Sequence, residues 1–182
     1  MRFSENRLIA WIVFAVIIVF SICVSGGSAL RDLSGATERI FYNGAAGDGL
    51  CINRDLTVRA ESAANMVSTA QSARSVRQEL IGAVSSDAQA LSEAETISDK
   101  YEANANLTQS VEQLYNALSS AGISESDMTY VTKQYNEFNS RAHTISLDPY
   151  NERAREFNDT LSGFPASFVA RLCGVKALDL FA

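Results

Sequence analysis

The chain is poor in the residues from which catalytic and metal centres are usually built. Its 182 residues include one histidine, His143, and three cysteines, Cys23, Cys51 and Cys173. A Cys/His zinc site needs about four such ligands, and no CxxC or CxxH spacing occurs, so that class is excluded. A carboxylate-bridged di-iron bundle would need Glu-x-x-His pairs, and there are none. Cys51 and Cys173 could form one disulfide in an extracytoplasmic body; two buried free thiols are the preferred reading. Prolines number only two, Pro149 and Pro165, and valine and isoleucine are sparse beyond the N-terminus. A body rich in alanine, serine, leucine, glutamate and asparagine suits helices rather than a sheet. Lysine is scarce as well. Twelve arginines and three lysines face 21 acids, the formal charge is −6, and no basic block occurs. Such a chain would repel phosphate, which excludes nucleic acid as a partner.

Charge is missing altogether from residues 8–30. A bilayer core takes roughly 20 helical residues, so this span can cross it, with Trp11 near one edge where an amphipathic ring is favoured. A cleaved signal peptide is the competing reading, with Arg2 and Arg7 as its basic region and Gly26 or Ala29 before a cleavage site. The apolar run is longer than the usual ~7–15 residues of such signals, and Ile22 before Cys23 does not fit a lipoprotein signal. Arg2 and Arg7, against Glu5, point to a cytoplasmic N-terminus and an extracytoplasmic body. The organisation expected is a short cytoplasmic tail at 1–7, a transmembrane helix at 8–27 and a helical-bundle domain at 28–182.

In the body, residues 28–42 read as a helix leaving the membrane, stopped by Asn43-Gly44. The loop GAAGDG at 44–49 lacks the Lys-Ser/Thr ending and the preceding strand of a nucleotide loop. A stripe through Ile52, Leu56, Ala63, Met66, Ala70, Ala73, Leu80 and Val84 predicts one long helix over 52–84. Arg59 and Arg77 fall on that stripe. The expectation is arginine stems at its edge with charges in water; the alternative is a buried arginine paired with a carboxylate from another helix. Ser86-Asp87-Ala88-Gln89 has capping-box spacing and predicts a further helix to Ala121, stopped by Gly122. Ser124 caps the next, whose Met128, Val131, Tyr135, Phe138, Ala142 and Ile145 form a heptad of coiled-coil type. Asp148-Pro149 opens a fresh helix, and Pro165 a short last one, ended by Gly174. The fold class predicted is all-α: an N-terminal transmembrane helix followed by an antiparallel bundle of about four long helices.

The last third carries Tyr150-Asn151, Phe157-Asn158 and Phe164-Pro165, followed by Ala170, Gly174 and Phe181. Aromatics seven residues apart place one ring on the same helix face every two turns. This stretch resembles the C-terminal signature of the LemA family. A second block is similar to the family's early helix: Ile52-Asn53, Leu56, Arg59 and Asn65-Met66-Val67. Leu30-Arg31-Asp32 is similar to the family's Leu-Arg-Asn. The chain departs from the pattern at Asn53, at Ala64, around residues 42–49 and at Asp148-Pro149. The resemblance implies a bacterial, single-pass membrane protein of the cell envelope with an all-helical body, no catalytic activity and no cofactor.

The matched residues read as structural. Each aromatic would fill the bundle seam, and each asparagine beside it would hydrogen-bond a neighbouring helix or backbone and set register. Glu93-x-Glu95 and Glu125-x-Asp127 are paired acids on solvated helix faces. The expected function is therefore non-enzymatic, through contact with an unidentified protein partner, with membrane lipid met by the N-terminal helix and a second copy of the chain as an alternative partner. A single-pass sensory or ligand-binding bundle is the rival reading. It would need a second span and a signalling module, neither of which precedes Ala182, or a partner that supplies them.

Overall fold

The computed structural model describes residues 7–73 and 75–182. Of the expected cytoplasmic tail only Arg7 is among them, so Arg2 and Glu5 lie outside the described residues. Three- and four-residue apolar spacing produces helices throughout: α1 (Arg7–Asn43), α2 (Ile52–Ser72), α3 (Gln78–Glu93), α4 (Ile97–Ser120), α5 (Glu125–Ser146), α6 (Tyr150–Ser162) and α7 (Ala166–Cys173). No strand occurs among the described residues. The all-α class is observed, with more and shorter helices in the body than expected.

The chain divides into two compact units, Met1–Glu38 with Glu152–Leu178, and Arg39–Asn151 with Asp179–Ala182. The second holds a four-helix bundle. In it α2 packs on α3, α4 and α5, α3 on α4, and α4 on α5. Connections of five, three and four residues join α2 to α5 in order, too short for anything but antiparallel neighbours. Leu56, Ala63, Met66 and Ala70 of α2, Val84 of α3, Leu107, Val111, Leu114 and Leu118 of α4, and Val131 and Phe138 of α5 fill its core. Tyr115 and Tyr135 stack in parallel, 3.9 Å between centroids, where α4 meets α5. Of the α5 heptad, Val131 and Phe138 are fully buried.

Two expected boundaries are corrected. The single helix over 52–84 is two, α2 ending at Ser72 and α3 starting at Gln78. Ala73 N–H bonds the Ala70 carbonyl and Val76 N–H bonds the Ala73 carbonyl, which is turn geometry. Alanine favours a helix locally, but its methyl group offers little for a facing helix to grip. Val76 instead buries its side chain in the turn. The capping box at Ser86 falls inside α3, and the next helix starts at Thr96, whose Oγ1 accepts from Asp99 N–H at 3.0 Å. Both sites have the same Ser/Thr-x-x spacing, so spacing alone does not choose between them.

Other punctuation falls as expected. Ser124 Oγ accepts from Asp127 N–H at 3.1 Å and starts α5. Gly122 and Gly174 end α4 and α7 at positive φ. Gly44, at φ +83°, turns the chain where a Cβ would press on the Leu50 carbonyl.

In the first unit, α1 runs unbroken through Ser25-Gly26-Gly27-Ser28, so residue 27 marks no break in the backbone. Leu30 of α1 packs with Val169 and Ala170 of α7, and Leu161, Ala166, Cys173 and Val175 close around them. Gly27 permits this approach, since a Cβ there would collide with Cys173.

Asp148 begins α6 by accepting from Tyr150 N–H at 2.9 Å. Burial raises its pKa, the backbone bond opposes that, and the charge of Asp55 adds to it. A carboxyl whose folded pKa is raised contributes stability below its unfolded pKa of 3.8, and loses that contribution as pH rises through the folded value. At pH 7 the charge is therefore unfavourable while the cap is favourable. Asp148→Asn keeps the acceptor and drops the charge, so its melting temperature at neutral pH should equal or exceed the wild type's, with wild type regaining ground on acidification. Asp148→Ala loses the cap and should cost about 1 kcal/mol. Thermal unfolding followed by circular dichroism at neutral and acidic pH checks both.

Candidate functional site

Two constellations stand out, a buried arginine inside the bundle and a set of amide clamps on the C-terminal tail. Arg59 of α2 is 1% exposed. This corrects the expectation of a stem at the edge with its charge in water. Its guanidinium carbon sits 3.8 Å from the centroid of the Phe138 ring of α5. Its Nη2 donates to Thr108 Oγ1 of α4 at 2.6 Å, and that hydroxyl donates onward to the Asn104 carbonyl at 2.7 Å. Arg59 Nε and Asn104 Oδ1 are buried without a hydrogen-bond partner. The carboxylate pairing of the alternative reading goes to another arginine. Asp55, one turn before Arg59, meets Arg141 Nη1 at 3.3 Å, and Arg141 also grips Glu137. Arg77 is exposed at the start of α3.

Desolvation lowers the Arg59 pKa to about 10, so the group stays charged at neutral pH. That shift corresponds to a burial penalty of roughly 3 kcal/mol. The Thr108 bond and the ring contact return about 1.5–3 and about 2 kcal/mol. The terms nearly offset. Arg59→Met, which keeps much of the stem and removes the charge, should leave the unfolding free energy within about 1 kcal/mol of wild type. A urea titration checks this, and a much larger loss would mean that the guanidinium is net stabilising.

The clamps lie on α6. In the second unit, Asn151 Nδ2 donates to the Phe181 carbonyl and its Oδ1 accepts from Phe181 N–H, both at 2.8 Å. Tyr150 donates its hydroxyl proton to the Asp179 carbonyl at 2.6 Å. Phe181 lies 5.8 Å from Phe41 and 5.4 Å edge-on to Tyr101, and Phe41 is 5.3 Å edge-on to Tyr150. In the first unit, Asn158 repeats the arrangement with Leu178, at 2.9 and 2.8 Å. Each asparagine thus presents its side-chain amide as a peptide group to a stretch of backbone outside any helix. The neighbour that the asparagines were expected to engage is this tail rather than another helix.

The seven-residue step acquires a second meaning from this. Asn151 and Asn158 are seven apart, while their partners Phe181 and Leu178 are three apart. The signal was present in the tail's spacing, but only the tail's docking reveals it.

Of the remaining matched residues, Leu56 is buried in the bundle core, and Asn65 is exposed, donating to Gln134 Oε1 of α5 at 3.2 Å. Tyr150 and Phe157 are buried as expected, and Ala170 is buried beside α1. Phe164 is 89% exposed, which overturns its expected place in a seam. The turn at 163–165 carries it off the face that α6 buries, and the Phe164–Pro165 peptide is cis. Gly174 is the left-handed cap of α7. Phe41, Tyr101, Thr108, Phe138, Asp55 and Arg141 were not singled out as site residues from the sequence.

The family model described as LemA family matches residues 51–182. The chain belongs to the LemA family. No curated protein and no solved structure matches it significantly. The LemA match begins at Cys51, just ahead of α2, and takes in both the Arg59 site and the clamps. Family membership and the long apolar α1 together fit a membrane-anchored helical protein. The three cysteines are free thiols. Cys51 donates to the Tyr42 carbonyl within the second unit and Cys173 to the Cys23 carbonyl within the first.

Proposed function

We propose that this LemA-family protein is a non-enzymatic scaffold, anchored in the bacterial cell membrane by α1, that acts through protein–protein contact with its body outside the cytoplasm. The observation that carries the reading is the apolar stretch of α1. Its most apolar 18-residue window has a mean hydropathy of 2.7, and none of that window is buried by protein. Side chains such as Trp11, Phe14 and Phe20 stand exposed along it, and a bilayer is the solvent that such a surface suits. The pair between buried Asp55 and the partly exposed Arg141 and the Arg59–Thr108 contact each tie α2 to a neighbouring helix, a use of polar groups suited to holding a scaffold.

Fractionation tests the anchor: the protein should resist carbonate and leave the membrane only with detergent, and release by carbonate would overturn it. Orientation follows from cysteines introduced at exposed body positions, which should react with an impermeant thiol reagent on intact cells. Labelling only after lysis would put the body inside. Crosslinking in cells should capture a defined protein partner, and recovery of the uncrosslinked chain alone would count against the contact role.

A ligand-binding bundle is the second reading. It is favoured by a groove of about 730 Å³ in the second unit, lined by polar Ser75, Arg77, Gln113, Asn116 and Ser120. A small anion that raises the melting temperature of wild type but not of Arg77→Ala would support it.

A further inference from the structure

We propose that α7 is a membrane-surface helix, its Phe168 and Leu172 face, with Phe164 in the turn before it, lying among the lipids where α1 leaves the bilayer. The proposal rests on the anchoring of α1 and adds a second contact with lipid, within the same compact unit. Twenty helical residues cover about 30 Å, the thickness of the hydrocarbon core. Counted from Ile9, they end at Ser28. That is the level at which α7 packs: Val169 lies over Gly26, Cys173 over Gly27, and Val169 and Ala170 against Leu30. The protein thus holds α7 against the edge of the apolar layer.

The face that α7 turns away from this contact is unusual for one in water. Phe164 is 89%, Phe168 50% and Leu172 56% exposed. The step of four puts Phe168 and Leu172 on one side of α7, and Phe164 lies in the turn just ahead of the helix. Exposing large apolar side chains close together forfeits the transfer energy that burial would return. Lipid recovers that energy without any protein partner. The charges agree. Residues 160–178 contain Arg171 and Lys176 and no acid, and α1 adds Arg31, whose Nη2 donates to the Cys173 carbonyl at the end of α7 at 2.7 Å. Cations beside an apolar helical face suit anionic headgroups.

The test uses the full chain in vesicles of phosphatidylcholine and phosphatidylglycerol, with tryptophan fluorescence as the depth gauge. Trp11 is the natural tryptophan, and its quenching by lipids brominated on their acyl chains reports the anchor. In a Trp11→Phe background, Phe168→Trp replaces one exposed ring by another. Its emission should be blue-shifted and lose most of its intensity to lipids brominated near the headgroup, with little effect of aqueous acrylamide. Free N-acetyltryptophanamide added to the same vesicles should respond to acrylamide alone. If Trp11 is quenched by lipid while the tryptophan at 168 is quenched only from water, the α7 proposal fails and the anchor stands. A blue-shifted emission at 168 that no brominated lipid quenches would mean that a second copy covers this face, which also overturns it. If Trp11 itself is untouched by lipid, the anchor fails first.

Discussion

Replacing Phe181 with alanine should destabilise the second unit by about 3–5 kcal/mol, the range for truncating a buried phenylalanine. The ring is nearly fully buried although it is the penultimate residue. It touches the Phe41 ring at 5.8 Å and the Tyr101 ring edge-on at 5.4 Å. Edge-on and tilted contacts of this kind add to the plain burial of area. Phe41 is itself wholly buried, so the loss would open its face to water. Terminal segments can undock without global unfolding, so the effect should appear first as local opening. Hydrogen exchange of the Phe181 amide, with the denaturant midpoint of the whole chain, separates the two. Leu at 181 should recover part of the loss by refilling volume. An alanine variant as protected as wild type would show that the ring does not hold the tail.

Removing both clamps, Asn151→Ala with Asn158→Ala, should cost about 2–4 kcal/mol, summing about 1–2 per site. Each change strands one backbone N–H and one carbonyl of the tail that the amide had satisfied together. Water can reach these half-exposed sites, which keeps the cost below that of a fully buried orphan. Asparagine's two-sided chemistry gives a sharper control. Asn151→Asp retains an acceptor for Phe181 N–H, yet it has no donor for the Phe181 carbonyl and sets two oxygens against each other. It should therefore lose most of what alanine loses. Limited proteolysis should nick the tail of the double variant early while α2–α5 persist. A tail that resists protease as in wild type would refute the clamp. If aspartate proves harmless, the amide acts as an acceptor only.

Much of the architecture was legible in the sequence because its causes are local. The apolar N-terminal run, the cap at Ser124, the stops at Gly122 and Gly174, and the restart at Asp148-Pro149 each depend on residues within about one helical turn. The class of the fold follows from the same short-range spacing, and the motifs of the last third carried the family.

What stayed illegible depends on partners far away in sequence. A three-to-four-residue stripe tells which face of a helix is apolar, but not where a facing helix ends, so the break between α2 and α3 was missed. Arg59 lies on the stripe of α2, and its burial is decided by Phe138 and Thr108 on two other helices. Phe164 shares the seven-residue step of Tyr150 and Phe157, yet the turn before α7 leaves it in the open. The asparagines beside those rings were legible as hydrogen-bonding groups, because an amide must find partners. That their partners are Phe181 and Leu178 of the tail was decided only by tertiary structure, since hydrogen-bond geometry depends on where distant chain segments come to lie.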